Sequence, residues 1–294
     1  MALTDKLTAI ADAIRAKTGK TNLITLDQMP TEIANIETGG GGHTEPYIEE
    51  TYDDNGYLVS VSMFGYTNIR EGAFMDCDSL VFASLPDGLT SIGINAFYDC
   101  SSLALTSLPD GLTSIEGGAF SGCSSLTLTS LPAELTSIEG SAFSGCSSLA
   151  LTSLPDGLTS IEYETFYNCS SLALTSLPDG ITSIGNSAFS GCSSLALTSL
   201  PAGLTIIEDY AFENCSSLAL TSLPDGITII PSYAFSGCSS LTTITFKNKP
   251  DIISTLAFSN CSKLTTINVP WGEGEVANAP WGATNATINY NYVG

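Results

Sequence analysis

Cysteine is the residue of this chain best placed by type and spacing to do chemistry. Nine cysteines fall at 77, 100, 123, 146, 169, 192, 215, 238 and 261, every interval being 23. Thiolates serve as nucleophiles and soft metal ligands, and two thiols can close a disulfide. There is no Cys-x-x-Cys, and His43, the one histidine of the chain, cannot complete a zinc set. An odd count with one cysteine per repeat does not read as a disulfide framework. Two arrangements remain: a buried ladder of small apolar thiols, or pairing between neighbours. Stacking at ~4.8 Å would bring adjacent Cα atoms within disulfide reach. Side chains in a ladder point the same way, so the Cβ atoms stay about as far apart, at or beyond the usual limit of about 4.5 Å. The geometry favours free Cys77, Cys100, Cys123, Cys146, Cys169, Cys192, Cys215, Cys238 and Cys261 as a structural ladder.

Other catalytic signatures are absent. The sequence has no P-loop, no Gly-x-Ser-x-Gly and no His-Glu-x-x-His. A glycosidase needs only two acids, and the chain has 30 Asp and Glu against 8 Lys and Arg, for a formal charge of -22. Yet Asp87, Asp110, Asp156, Asp179 and Asp225 occupy equivalent turns, interrupted by Ala133 and Ala202, and do not converge. Between Arg70 and Lys247 there are 17 acids and no Lys or Arg. Calcium or a cationic partner could bridge such turns, but the calcium-binding nonapeptide is missing and a solvated acidic face is the plainer reading. The charge argues against nucleic acid or an anionic membrane as partner. No apolar run reaches ~18 residues. Asp5, Lys6, Asp12 and Arg15 interrupt Leu3 to Ala16, so no Sec-type signal is expected. The expectation is a non-enzymatic chain without cofactor, metal or membrane span.

The elements that position these residues follow from the period. Three residues before each cysteine stands a phenylalanine, Phe74 to Phe258, and three after stands a leucine, Leu80 to Leu264. The unit reads approximately Ala-Phe-x-x-Cys-Ser-Ser-Leu-x-Leu-Thr-Ser-Leu-Pro-Asp-Gly-Leu-Thr-Ser-Ile-x-x-x. One unit cannot bury Leu103, Leu105, Leu108, Leu112, Ile115, Phe120 and Cys123 against itself, whereas stacked coils can. Leu-x-Leu alternates like a short strand. Pro109 should end that strand, and Asp110-Gly111 should turn the chain. This predicts a solenoid of short parallel strands and turns, nine 23-residue coils long. The unit resembles the leucine-rich repeats of the BspA-like family, through Ala-Phe-x-x-Cys-x-x-Leu and the later Leu-Pro and Thr-Ser-Ile segments, over residues 71–270. That resemblance implies surface recognition and adhesion.

The ends do not repeat. Leu3, Leu7, Ile10 and Ile14 share one helical face, and Leu26, Met29, Ile33 and Ile36 a second. Residues 1–38 therefore read as a helical docking or assembly module, 39–46 as a glycine-rich linker, 47–70 as a capping β-hairpin turning at Asp53-Asp54-Asn55-Gly56, and 271–294 as a C-terminal cap. Ile10 to Gly19 resembles an N-terminal segment of phage and prophage structural proteins of gut Gram-positive bacteria. Val269 to Gly274 and Ala279 to Thr284 resemble endings of phage-associated repeat proteins. The resemblance implies virion localisation, with 1–38 contacting an assembly partner. A bacterial surface adhesin, or a protein secreted by a route without a signal peptide, is the alternative.

Differences between near-identical repeats mark where function could sit. Two windows vary most: the three residues after the repeated Ile, and the two between Phe and Cys. In a solenoid they align as one stripe carrying Tyr98, Tyr163, Tyr167, Tyr210 and Tyr233 with Glu162, Glu164, Glu208, Asp209 and Glu213. Tyrosine gives contact area at small entropic cost, which suits binding of a bacterial surface protein or glycan. Exposed turns that tolerate any residue would show the same variation, and a spacer without ligand would carry it too.

Overall fold

The computed structural model describes residues 45–293; both helical stripes, the glycine linker and His43 lie outside the described residues. Among the described residues there is no helix, and hence none to cross a membrane. The strands are β1 (Tyr47–Tyr52), β2 (Leu58–Phe64), β3 (Asn68–Ile69), β4 (Phe82–Ser84), β5 (Ser91–Ile92), β6 (Ser114–Ile115), β7 (Ser137–Ile138), β8 (Ser160–Ile161), β9 (Ser183–Ile184), β10 (Ile206–Ile207), β11 (Ile229–Ile230), β12 (Thr243–Thr245), β13 (Ile252–Ile253), β14 (Thr266–Asn268) and β15 (Thr287–Asn289). They stack as a parallel solenoid. Ile69, Ile92, Ile115 and Ile138 lie in register along β3, β5, β6 and β7. Ile161, Ile184 and Ile207 do so along β8, β9 and β10. Ile230 and Ile253 close the series in β11 and β13.

The regular strand of the middle coils is thus Ser-Ile, and the expected Leu-x-Leu strand is not formed there. In that segment Leu103, Leu105 and Leu108 are all buried. The first two obey a period of two, and the third breaks it, so the chain must bend to turn Leu108 inward. Pro109 then offers no N–H. One backbone bond per coil survives, such as Ala196 N–H to the Leu174 carbonyl at 3.1 Å. Where alternation is clean, as in Ile244 and Phe246, a strand does form: β12 pairs with β14.

Stacking places each side chain on its own copy. Phe74 to Phe258 form a continuous pile with centroids 5.2–5.8 Å apart and planes within 16° of parallel. The cysteines are free. From Cys100 to Cys261 each Sγ–H donates to the carbonyl of the phenylalanine 26 residues earlier, at 3.0–3.1 Å. Burial pushes the Cys100 thiol up to about 12 and Cys261 to about 11. It pushes the fully enclosed Cys169, Cys215 and Cys238 well above the ordinary thiol value. Such thiols are hydrogen-bond donors, not nucleophiles. Cys77 differs from the ladder expected for it: it is only half-buried, because 26 residues earlier the chain has Thr51 in the first strand and no phenylalanine coil. Serines and threonines repeat the device. Ser124 Oγ–H donates to the Ser101 carbonyl, and the Thr113 hydroxyl to the Thr90 carbonyl.

The ends are built from the same ladder. Tyr57 and Asn55 N–H groups both donate to the Asp53 carboxylate, forming the turn between β1 and β2. β2 is bonded to β1 on one side and runs parallel to β4 on the other. At the far end the stack runs one turn beyond the last cysteine coil. β15 pairs in parallel with β14, and Phe258 N–H donates to the Trp281 carbonyl as one phenylalanine coil does to the next. Trp281, fully buried, lies with its ring centroid 6.4 Å from that of Phe246, and its Nε1–H donates to the Ala277 carbonyl at 2.8 Å. Val269 and Trp271, the latter edge-on to Phe246 at 5.4 Å, belong to the same core.

Two outcomes follow. Titration with a thiol reagent should modify Cys77 alone in the native protein and all nine cysteines in denaturant; rapid native reaction of more than one or two would contradict the ladder. Raised thiol pKa values mean that the unfolded state ionises first, so stability is full below the unfolded value of about 8.5 and falls as pH rises above it. Denaturation midpoints between pH 7 and 10.5 should decline from about pH 8.5, and Cys169→Ala should make the decline shallower.

Candidate functional site

The variable windows contain a constraint that composition hides. Two positions in each coil have positive φ: Asn95 and Asp99, Gly118 and Gly122, Ser141 and Gly145, Glu164 and Asn168, Ser187 and Gly191, Tyr210 and Asn214, Tyr233 and Gly237. Their N–H groups reach the next coil, Asn95 to the Gly117 carbonyl at 3.0 Å and Asp99 to the Ser121 carbonyl at 2.7 Å. The second position, just before cysteine, holds only Gly, Asn or Asp from Asp76 to Asn260. These are the residues that enter the left-handed region at low cost. Its variation is moreover correlated between coils. A Cβ on Gly191 would lie 2.2 Å from Asn168 Oδ1, and one on Gly237 would lie 2.3 Å from Asn214 Oδ1. The carboxamide of one coil overhangs the glycine of the next. The Asp76–Asp99 and Gly122–Gly145 pairs depart from this, and nothing in the geometry explains them. What reads in sequence as free variation is, at this position, packing.

The first left-handed position is less restricted, and it lines an open groove of about 700 Å³ across four coils. Tyr98 stands at one end and Tyr163 at the other; between them Gly117, Gly118 and Gly140 leave a floor without side chains. A Cβ on Gly140 would sit 2.2 Å from Tyr163 Cε1, so glycine is what lets the ring lie there. Glu116, Glu139 and Glu164 bring carboxylates to the groove. Ser141 Oγ–H donates to Glu164 Oε2 at 3.2 Å, and Ser137 Oγ–H to Glu139 Oε1 at 2.6 Å. Ile94, exposed, adds an apolar edge.

The stripe is therefore not one site. Tyr98, Tyr163 and Glu164 meet in the groove. Tyr167, exposed, and Glu162 lie on the coil of Tyr163 but do not line the groove; Glu162 accepts from Ser160 Oγ–H at 2.6 Å, as Glu139 does from Ser137. Farther along, the side chains bond to neighbouring coils. Tyr210 and Tyr233 stack on each other at 5.1 Å. Glu208 accepts from Asn186 N–H at 2.8 Å, Asp209 from Ser232 N–H at 2.8 Å, and Glu213 from Ser190 Oγ–H at 3.3 Å. The strand ladder beside them changes too: its outer residue is Ser in β5 to β9 and an exposed Ile in β10, β11 and β13. Glu116, Gly117 and Gly118 fall in the variable window after the repeated Ile but were not singled out for binding, and Glu139 and Gly140 were missed; two coils of small residues between two tyrosine coils was the available signal. Among the described residues, no group of three or more His, Cys, Asp or Glu is arranged to hold a metal.

Comparison with known proteins places this geometry. A family model described as BspA type leucine rich repeat region matches residues 67–196 and 159–277, more than half of the chain. A leucine-rich repeat protein from Bacteroides ovatus is 25% identical, with a TM-score of 0.59, over 85% of this chain and 76% of that one. A leucine-rich cell surface protein from Faecalibacterium prausnitzii is 22% identical over 86% of this chain and 96% of that one, with a TM-score of 0.39. The pneumococcal vaccine antigen PcpA is 19% identical over 76% and 72%, with a TM-score of 0.46. No curated protein matches the chain.

Glu164 occupies the left-handed region at φ 52°, a conformation that costs a non-glycine residue roughly 1–2 kcal/mol. Glu164→Gly should raise stability in urea denaturation by about 0.5–1 kcal/mol, allowing for the entropy glycine adds to the unfolded chain. Asn168→Ala, at φ 56°, should lower it by about 1 kcal/mol, while Asn168→Gly stays near neutral.

Proposed function

Because this chain belongs to the BspA-type leucine-rich repeat family, we propose that it is a recognition protein that presents the groove between Tyr98 and Tyr163 to a ligand on a bacterial surface. Leucine-rich repeat proteins are generally non-enzymatic binding scaffolds. The observation that carries the reading is the groove itself. It lies within the ~300–1,000 Å³ range of ligand clefts, and among the described residues neither of its tyrosines has the ring partner that Tyr210 and Tyr233 find in each other. The protein is phage- or prophage-encoded and virion-associated, with residues 1–38 joining an assembly partner. Support for this comes from the likeness of Ile10 to Gly19 to phage structural proteins. The second reading is a BspA-like adhesin of the bacterial surface, with which the family match is equally consistent.

Labelled full-length protein should bind saturably to particular strains in a panel of gut bacteria. Tyr98→Ala with Tyr163→Ala should abolish most of that binding, while Tyr210→Ala leaves it intact. A folded protein that binds no strain would favour a spacer. Mass spectrometry of purified particles separates the two localisations: absence from virions would leave the adhesin reading.

A further inference from the structure

We propose that the groove between Tyr98 and Tyr163 seats an extended basic peptide segment, with arginine or lysine side chains against the tyrosine rings and among Glu116, Glu139 and Glu164. The proposal rests on the recognition reading above and gives its ligand a chemistry.

Three observations converge on it. The groove is long and shallow, spanning four coils with glycine beneath, so it fits an extended chain better than a compact molecule. A residue of extended chain covers about 3.3 Å, so a few residues cross it. The two aromatic side chains stand at its ends, and aromatic rings attract guanidinium and ammonium groups. Finally, among the described residues no cation pairs with the three carboxylates. From residue 71 to 246 the chain has neither Lys nor Arg, and the hydrogen bonds they do accept come from neutral serine hydroxyls. Like charges gathered in one trough repel. A neutral glycan entering it would displace water from those carboxylates and leave the repulsion in place. A basic segment would remove it.

The ion pair of Lys249 with Glu275 at 3.0 Å shows how this chain answers a carboxylate where it does carry a cation. The groove lies many coils from it. Aspartates of the turns, Asp179 for example, are also acidic and exposed, but they have no ring and no concave floor. They serve as the control for charge alone.

Titration calorimetry of the full chain with acetyl-Gly-Arg-Gly-Lys-Gly-amide, at about 0.15 M salt to screen the general field, reads the proposal directly. One-to-one binding is expected. Tyr163→Ala and Glu139→Gln should each weaken it roughly tenfold, whereas Asp179→Asn, an equal charge change outside the groove, should not. The analogue with glutamine in place of Arg and Lys should not bind. Equal losses with Glu139→Gln and Asp179→Asn would reduce the effect to net charge and overturn the proposal. So would binding of a neutral tetrasaccharide at the groove without binding of the peptide. Circular dichroism confirms that each variant folds. If labelled protein binds bacterial cells and the peptide neither binds nor competes, this proposal falls and the recognition reading stands. If the peptide binds and no cell does, the groove chemistry stands and the bacterial-surface reading falls.

Discussion

Each buried group in this solenoid must accept a copy of itself as its neighbour. A helix bundle or sandwich can set large against small across its core; a stack of coils related by a 23-residue step cannot. The residues that persist are those whose self-contact is favourable. Phenylalanine stacks in near-parallel offset piles. Cysteine is small enough to be enclosed, is cheaply desolvated, and still donates one bond to a carbonyl that would otherwise be buried with less support. Serine and threonine, at the margins of the core, donate in the same backward direction. Among the described residues no buried side-chain nitrogen or oxygen lacks a hydrogen-bond partner; Thr165 finds one within its own coil and Ser190 in the next.

This constraint divides what the sequence could and could not disclose. The period, the solenoid and the interior ladders were legible, since self-contact forces repetition and repetition is visible as spacing. The place of the strand was not. Leu103 and Leu105 alternate as a strand would, yet Leu108 is buried as well, and three inward leucines across an odd interval demand a bend that no local pattern announces. Ser-Ile, only two residues long, carries the ladder instead. The last turn was hidden for another reason. The Phe-x-x-Cys motif stops at Cys261, and β15 follows β14 at an interval of 21 instead of 23, so the stack continues after its motif has ended.

The candidate site shows a sharper limit. Sequence points to what is present, and tyrosines and acids stood out in the variable windows. The groove is made equally by what is missing: side chains at Gly117, Gly118 and Gly140. Position in the array then decides the fate of similar residues. Tyr98 and Tyr163 flank coils of small residues and are left at an open concavity, whereas Tyr210 and Tyr233 fall on adjacent coils and take each other as partners. The acids divide in the same way, Glu208 and Asp209 being held by backbone N–H groups of neighbouring coils. Only relative placement, which needs the fold, separates the two halves of the stripe.

The overhang of asparagine on glycine has a consequence for how such an array can lengthen. From Gly145 to Asn260 the residue before cysteine runs Gly, Asn, Gly, Asn, Gly, Asn. Copying a single coil by unequal exchange would set asparagine on asparagine or glycine on glycine and break that alternation. Copying two coils together would preserve it. Over this stretch a change of coil number by two keeps the overhang regular, whereas a change by one leaves a junction of like residues, as Gly122 and Gly145 already form.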